Sequence, residues 1–355
     1  MLPFVKRHIE VILLIATGIA LGVGGTCLAC VGNPRNSGIC VSCYMENLAG
    51  AMGLHDNLRM QYIRPELLCF VLGAAVAAAV GGEFKARGGS SPLLRFAGGV
   101  LMIVGCAMFL GCPIRMVLRL GNGDFTALAG VAGLVFGVWA GFQFARHGFH
   151  LGDAKPQPLV NGLVVPLLMV GLLVAWFTHP SFIHFSQLGP GAQKAKGYLA
   201  IGSGLFIGVL AQRSRFCLTG GLGNFMASRD WSLLSGVVSM LVFAFLASYI
   251  RGLYVPGFEG QPGSHLAYGW SFLGMALVGV VSILMEGCPF RQLILAGEGN
   301  SDAGAAVFGM IGGGAIVQGW GITSTNLGPT MTGQVATLAG LALVLLTGLF
   351  LRVRD

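Results

Sequence analysis

The chain has 355 residues, of which 55% are hydrophobic and only 10% charged, with a mean hydropathy of +0.79. A soluble domain carries about 25% charged residues, so these values, together with 58 Gly and 23 Phe, exclude a soluble globular protein. They define an all-α polytopic integral membrane protein. The formal net charge of +8 is then no nucleic-acid footprint, because Lys and Arg of membrane proteins gather in cytoplasmic loops and set orientation.

The N-terminal stretch MLPFVKRHIEVILLIATGIALGVGG has the basic start and apolar middle of a signal peptide. The many apolar segments after it make it a first membrane helix instead. A spanning helix needs about 20 mostly apolar residues. Candidates lie at 10–30, 64–82, 93–112, 125–145, 159–178, 197–212, 232–254, 268–288, 303–322 and 332–351. The segment at 197–212 is short and that at 303–322 Gly-rich, so about eight to ten spans are expected. The Pro- and Lys-bearing stretch GDAKPQPLVNG, at 152–162, divides the chain into a first transmembrane repeat, 1–151, and a second, 163–355.

Two elements are written twice. GCPIRMVLRLGNG, from Gly111, and GCPFRQLILAGEGN, from Gly287, place Gly, Cys, Pro and Arg in register, so that Cys288 answers Cys112. PRNSGIC, ending at Cys40, aligns with AQRSRFC, ending at Cys217, at nearly the same offset along the chain. An odd number of spans per half inserts the second half upside down, and inverted repeats with interrupted or re-entrant helices around a central pathway are a common transporter plan. Counting loop charges places Lys6, Arg7, Lys85, Arg87, Arg95, Arg146, Lys155, Arg229, Arg352 and Arg354 on one side, against Arg59, Arg64, Lys194, Lys196 and Arg251 on the other. That bias predicts cytoplasmic N- and C-termini.

A Cys–Pro step has a defined local consequence. The residue before proline is pushed out of the α region, while proline is well placed as the first residue of a new helix. The incoming helix should therefore end near Cys112, and a half-helix should begin at PIRMVL, with Cys112 beside its free N–H groups. Those groups and the helix dipole favour an anion. Gly111 permits close approach, and Arg115, one turn on, supplies a charged donor. The same reasoning applies to Gly287, Cys288, Pro289 and Arg291. Thiol sulfur is soft and polarisable, and a neutral thiol is a weak donor. Cysteine at these positions suits a small anion with a soft terminal atom, such as the outer sulfur of thiosulfate or a selenium analogue.

Other cysteines read differently. Cys69 and Cys106 are expected as small apolar fillers. Cys27, Cys30, Cys40 and Cys43 form two CxxC pairs, the alternative being a four-thiolate metal or iron–sulfur site or redox dithiols. Glu286, which has no counterpart in the first half, is a candidate coupling carboxylate, an ion-pair partner of an arginine, or a solvated helix end. Gln292, Glu298, Asn300 and Asp302 read as a wet loop. No Walker sequence, Rossmann turn or CxxCH occurs, so neither ATP hydrolysis nor another enzymatic step is expected, and no cofactor is required.

The paired Cys elements, the two GCPxR breaks and the two-half layout resemble the YeeE/YedE family of bacterial sulfur-transport membrane proteins. The stretch EGCPFRQLILAGEGNSDA is most similar to its selenium-associated YedE branch. The resemblance implies an hourglass-like protein of the bacterial cytoplasmic membrane that imports thiosulfate or a related small sulfur or selenium anion. It also implies that thiols contact the cargo in passage, roles that fall on Cys112, Cys217 and Cys288, with Cys40 as the fourth repeat position. A soluble sulfur-carrier protein on the cytoplasmic side is a candidate partner. Cys27, Cys30 and Cys43 lie outside that motif, and a membrane redox or metal-binding thiol protein stands as the alternative.

Overall fold

The structure, a computed structural model, describes residues 2–350 of the chain. Its helices are α1 (Leu2–Cys30), α2 (Val41–Ala51), α3 (Pro65–Val80), α4 (Pro92–Phe109), α5 (Pro113–Gly121), α6 (Ala127–Arg146), α7 (Leu159–Thr178), α8 (Gly189–Ala192), α9 (Gly197–Ser214), α10 (Leu218–Ser228), α11 (Ser232–Ile250), α12 (Tyr268–Leu284), α13 (Pro289–Gly297), α14 (Ser301–Gly319) and α15 (Met331–Phe350). A short antiparallel pair joins β1 (Arg87–Gly88) to β2 (Lys155–Pro156). The connecting segment is shorter than 152–162, because α7 already begins at Leu159. Arg352 and Arg354 lie outside the described residues.

Among the described residues, seven stretches are long and apolar enough to cross a membrane: α1 from Arg7, α4 with α5, α6, α7, α11, α12 with α13, and α15 to Leu349. That is fewer than the eight to ten expected. Helices do stand at the three remaining places, but α3 has only 16 residues, α9 ends on Gln212, Arg213 and Ser214, and α14 opens on Ser301 and Asp302 and is rich in glycine.

Long helices pack in pairs: α1 on α11, α3 on α9, α6 on α12, and α4 on α14. Lipid tails supply no hydrophobic drive between helices, so close backbone approach through small residues carries the packing. A Cβ at Gly22 would stand 2.5 Å from the Met240 carbonyl oxygen of α11, and one at Gly137 would collide with the Ala276 carbonyl of α12. The short helices α2, α5 and α13 are almost wholly buried between these pairs.

The connecting segments gather at two ends of the molecule. At one end, Ser186 N–H donates to the Gln61 carbonyl, Arg64 to the carbonyls of Pro190 and Gln193, Arg115 to the Gly263 carbonyl, and Asn57 to Gln318. Segments 52–64, 179–196, 251–267 and 318–330 thus form one cap. At the other end, Lys85 N–H donates to the Glu298 carbonyl, Gln157 N–H to the Ala86 carbonyl, and Ser90 to the Asp302 carboxylate. Segments 81–91, 147–158 and 298–302 form the second cap.

Replacing Gly137 by Val is expected to overpack the α6–α12 contact and cost about 1–3 kcal/mol, read as a lower Tm of the detergent-solubilised protein. Gly202→Ala in α9, where an added Cβ meets nothing within 4 Å, is expected to leave the Tm unchanged or raise it.

Candidate functional site

All four repeat cysteines stand at the N-cap of a short helix: Cys40 before α2, Cys112 before α5, Cys217 before α10 and Cys288 before α13. The N-cap side chain normally presents an oxygen to the first unpaired N–H groups. At Cys40 and Cys217 sulfur takes that place, while Cys112 and Cys288 make no such cap bond. Cys43 N–H donates to the Cys40 sulfur at 3.4 Å, and Gly220 N–H donates to the Cys217 sulfur at 3.3 Å. As the Cys–Pro step predicts, α4 ends at Phe109 and a new helix opens at Pro113, and α12 ends at Leu284 with α13 opening at Pro289.

The cysteines meet in two pairs, each within one half of the sequence. Val41 N–H donates to the Cys112 sulfur at 3.2 Å, which places the Cys40 and Cys112 thiols close enough to interact. In the second half, the Leu218 N–H reaches the Cys288 sulfur and the Cys217 and Cys288 thiols are likewise close enough to interact. Val41 directly follows Cys40 as Leu218 directly follows Cys217, so the contacts correspond. The neighbouring hydroxyls correspond too, with Ser42 3.4 Å from Cys40 and Thr219 3.5 Å from Cys217.

A helix broken inside an apolar layer leaves carbonyls that only protein can satisfy. At the first break, His265 Nε2 lies 2.8 Å from the Met108 carbonyl, Ser324 donates to the same oxygen at 2.9 Å, and Arg119 donates to the Phe109 carbonyl at 3.0 Å. Arg119 is ten residues beyond Phe109, about 15 Å along a straight helix and past the reach of its side chain. The chain therefore changes direction at the break. At the second break, Gln292 donates to the Met285 carbonyl at 2.8 Å and Arg95 to the same oxygen at 3.2 Å. Leu110 and Glu286, each directly before the glycine of its GCPxR element, both take left-handed backbone conformations, with φ of 61°.

The two sites then diverge. Beside Cys40 stands Cys43, its sulfur 2.7 Å from that of Cys40, and Arg115 Nη1 donates to Cys43 at 3.3 Å. Arg115 is further fixed by the carbonyls of Asn36 at 2.9 Å and Gly263 at 3.1 Å. Arg291, its counterpart, instead forms an ion pair with Glu298 at 3.2 Å. The positions matching Cys43 and Glu46 are Gly220 and Gly223.

Several expectations are corrected. Gly111 and Gly287 make room for side chains of their own segments: a Cβ at Gly111 would stand 2.7 Å from Arg115 Cδ, and one at Gly287 would stand 3.1 Å from Arg291 Cγ. Glu286, by contrast, takes two of its expected roles, as an exposed carboxylate, 71% accessible, that pairs with Arg95 at 3.7 Å. Gln292, Glu298 and Asp302 are buried because they tie the second break and the second cap together. Cys106 is more than filler: it is buried next to Ser42 and so borders the first cysteine pair. Cys69 packs against Gly204 of α9, as a filler would.

Among the described residues, no three His, Cys, Asp or Glu side chains are grouped so as to hold a metal ion. Cys27 is exposed and Cys30 half-buried, with Cys30 directed to Arg251 while Cys40 turns inward to Cys112. The four-thiolate set suggested by the CxxC spacing is therefore not assembled. Sequence reasoning missed Glu46, buried on α2 one turn beyond Cys43, and missed Asn33, which bridges Tyr44 and Glu66 at 3.1 and 2.8 Å. The signal for Glu46 was present: a carboxylate three residues after Cys43 on a short apolar helix. No family model and no curated protein matches the chain.

Arg119 is buried against Asp124 at 2.7 Å. Asp124→Asn is expected to cost about 3–5 kcal/mol by stranding a buried cation, measured as thermal unfolding. Arg213→Gln, which removes a half-exposed pair with Glu83, is expected to cost at most about 1 kcal/mol. Brief treatment with a hydrophilic maleimide should modify Cys27 ahead of Cys40, Cys112, Cys217 and Cys288, read by mass spectrometry of the peptides.

Proposed function

We propose that the protein is a membrane transporter that imports a small sulfur- or selenium-containing anion, such as thiosulfate, past central cysteine thiols. The observation that carries this reading is that all four repeat cysteines stand at the N-cap position of short helices and meet as Cys40 with Cys112 and Cys217 with Cys288. Capping sulfurs lie among helix N-terminal N–H groups, which favour negative charge, and present soft atoms to a soft one. Oxygen caps would serve a sulfate or phosphate better. Arg115 and Arg291, whose side chains lie against Gly111 and Gly287, complete the proposed path.

The two halves are read as inverted repeats, α1–α6 corresponding to α9–α14. In support, α1 packs on α11 as α9 packs on α3, and α6 packs on α12 as α14 packs on α4. On this reading α2 and α10 are re-entrant, α7 and α15 are additions, and the chain crosses the bilayer ten times. Lys85, Arg87 and Lys155 fall at one cap, together with Arg95 at its rim. Arg59, Arg64, Lys194, Lys196 and Arg251 fall at the other. The loop-charge bias assigns the second cap, which carries Lys85, Arg87 and Lys155, to the cytoplasm with both termini there, and the family resemblance adds a bacterial membrane and a soluble sulfur carrier as the receiving partner. YeeE/YedE membership, with a cargo of the YedE type, is part of this proposal.

A redox thiol protein is the second reading, favoured by one observation, the Cys40–Cys43 contact. Uptake of labelled thiosulfate, with selenite as competitor, by cells unable to import sulfur anions decides between them. Cys112→Ser, Cys217→Ser and Cys288→Ser are each expected to lower uptake about tenfold or more, the equivalent of about 1.4 kcal/mol. Cys27→Ser combined with Cys30→Ser should leave it unchanged. No uptake by the wild type, or a loss confined to Cys43→Ser, overturns the transport reading in favour of the redox one.

A further inference from the structure

Glu46 is a buried carboxylate, 3% exposed, that the cysteine path does not use. Its partners set it apart from the other buried acids. Asp124 faces Arg119, Glu298 faces Arg87 and Arg291, and Asp302 takes N–H groups of Gly89 and Ser90 with the Ser90 hydroxyl. Glu66 takes Asn33 in a network that includes Arg64. The Glu46 carboxylate receives only neutral donors: the Gln318 amide, and the Thr323 hydroxyl at 3.4 Å.

Its position links two places. Gln318, bound to Asn57 at 2.6 Å, lines a depression of about 570 Å³ at the first cap, between His55, Asp56 and Asn57 and the end of α14. On the inner side, Glu46 shares a face of α2 with Cys43, three residues away, and Arg115, Cys40 and Cys43 lie within its electrostatic reach. The second half carries Gly223 at this position and opens no such link.

We infer that Glu46 takes up a proton from this depression as an anion arrives at the Cys40–Cys43–Cys112 cluster, and thereby couples import to protons. The inference rests on the transport reading. A like charge arriving within a few ångströms favours the neutral carboxyl, and the coupling is reciprocal: a neutral Glu46 binds the anion more tightly. Gln318 and Thr323 suit both states, since an amide and a hydroxyl each offer a donor and an acceptor. Titratable and charged groups face Glu46 from each side. They are Cys40 and Cys43 on α2 itself, Cys106 on α4, Arg115 on α5, and His55 in the segment after α2. Arg115 is held by three acceptors and stays charged. The His55 ring meets the Glu46 carbonyl through Nε2 at 2.9 Å and accepts Asn57 N–H through Nδ1 at 3.2 Å, an arrangement the neutral ring satisfies.

The test measures equilibrium binding of labelled thiosulfate to the purified protein over a pH series, and uptake into proteoliposomes with and without an acid-outside gradient. Wild-type affinity should rise as pH falls, by up to about tenfold per pH unit where one proton is linked. An acid-outside gradient should raise accumulation above the exchange level. In Glu46→Gln the pH dependence should vanish, with affinity fixed at the value wild type reaches at low pH, and the gradient should give no extra accumulation. Retention of the pH dependence in E46Q overturns the inference, and its loss in His55→Gln instead moves the proton to that ring. Should E46Q not fold, calorimetry of wild type in buffers of differing ionisation enthalpy gives the answer: proton uptake on thiosulfate binding supports the inference, and none overturns it. Exchange without proton linkage sinks the role of Glu46 alone. Absence of both binding and exchange sinks the transport reading with it.

Discussion

A helix that stops inside an apolar layer leaves N–H and C=O groups that lipid cannot satisfy, and the interior of this protein is organised around meeting that demand. At the first break the demand is met by His265, Ser324 and Arg119, and at the second by Gln292 and Arg95. On the N-terminal side of α2 and α10 the same demand is met by cysteine. Because Val41 N–H binds the Cys112 sulfur, and Leu218 N–H the Cys288 sulfur, each pair of short helices is locked end to end. Structural satisfaction and the proposed contact with a soft anion are thus carried by the same atoms.

Close helix pairing supplies the frame that holds these ends in place. The contacts of α1 with α11 and of α6 with α12 depend on glycine facing backbone, which brings long helices near enough to bury α2, α5 and α13. The frame is close to symmetric in its pairings. Its chemistry is not. One site carries a second thiol, a carboxylate and an Arg115 directed at that thiol, while the other carries Gly220, Gly223 and an arginine committed to Glu298. Such asymmetry suits a path whose two halves perform different tasks, one of selection and coupling and the other of passage.

Much of the architecture was legible in local chemistry. The composition dictated the membrane class, and the Cys–Pro steps dictated both breaks, because the restriction before proline and the preference for proline at the first helical turn are properties of the backbone alone. The repeated register also announced which cysteines matter. Arg115 was found for the same reason, being one turn beyond its cysteine. Asn33 and Asp124 escaped because nothing in their immediate neighbours distinguishes a buried polar residue from an exposed one, whereas Glu46 had a local signal in its spacing from Cys43. The wet-loop reading of Gln292, Glu298 and Asp302 failed in the same way: polar residues in a Gly-rich stretch look solvated until the fold turns them onto Met285 and Arg291, seven residues back, and onto Ser90 from the other half.

By itself, then, the sequence determined the solvent, the long helices, the two Cys–Pro breaks and the identity of the four repeat cysteines, since each follows from composition, from neighbouring residues or from the repeated register. Only the tertiary structure decided that these cysteines pair as Cys40 with Cys112 and Cys217 with Cys288, and that Cys27 and Cys30 stay apart from them. It alone put Glu46 between a surface depression and the thiols. Those outcomes depend on how helices distant in sequence pack, and packing in an apolar medium is settled by shape and by the partners found for buried polar groups, neither of which a local stretch of chain contains.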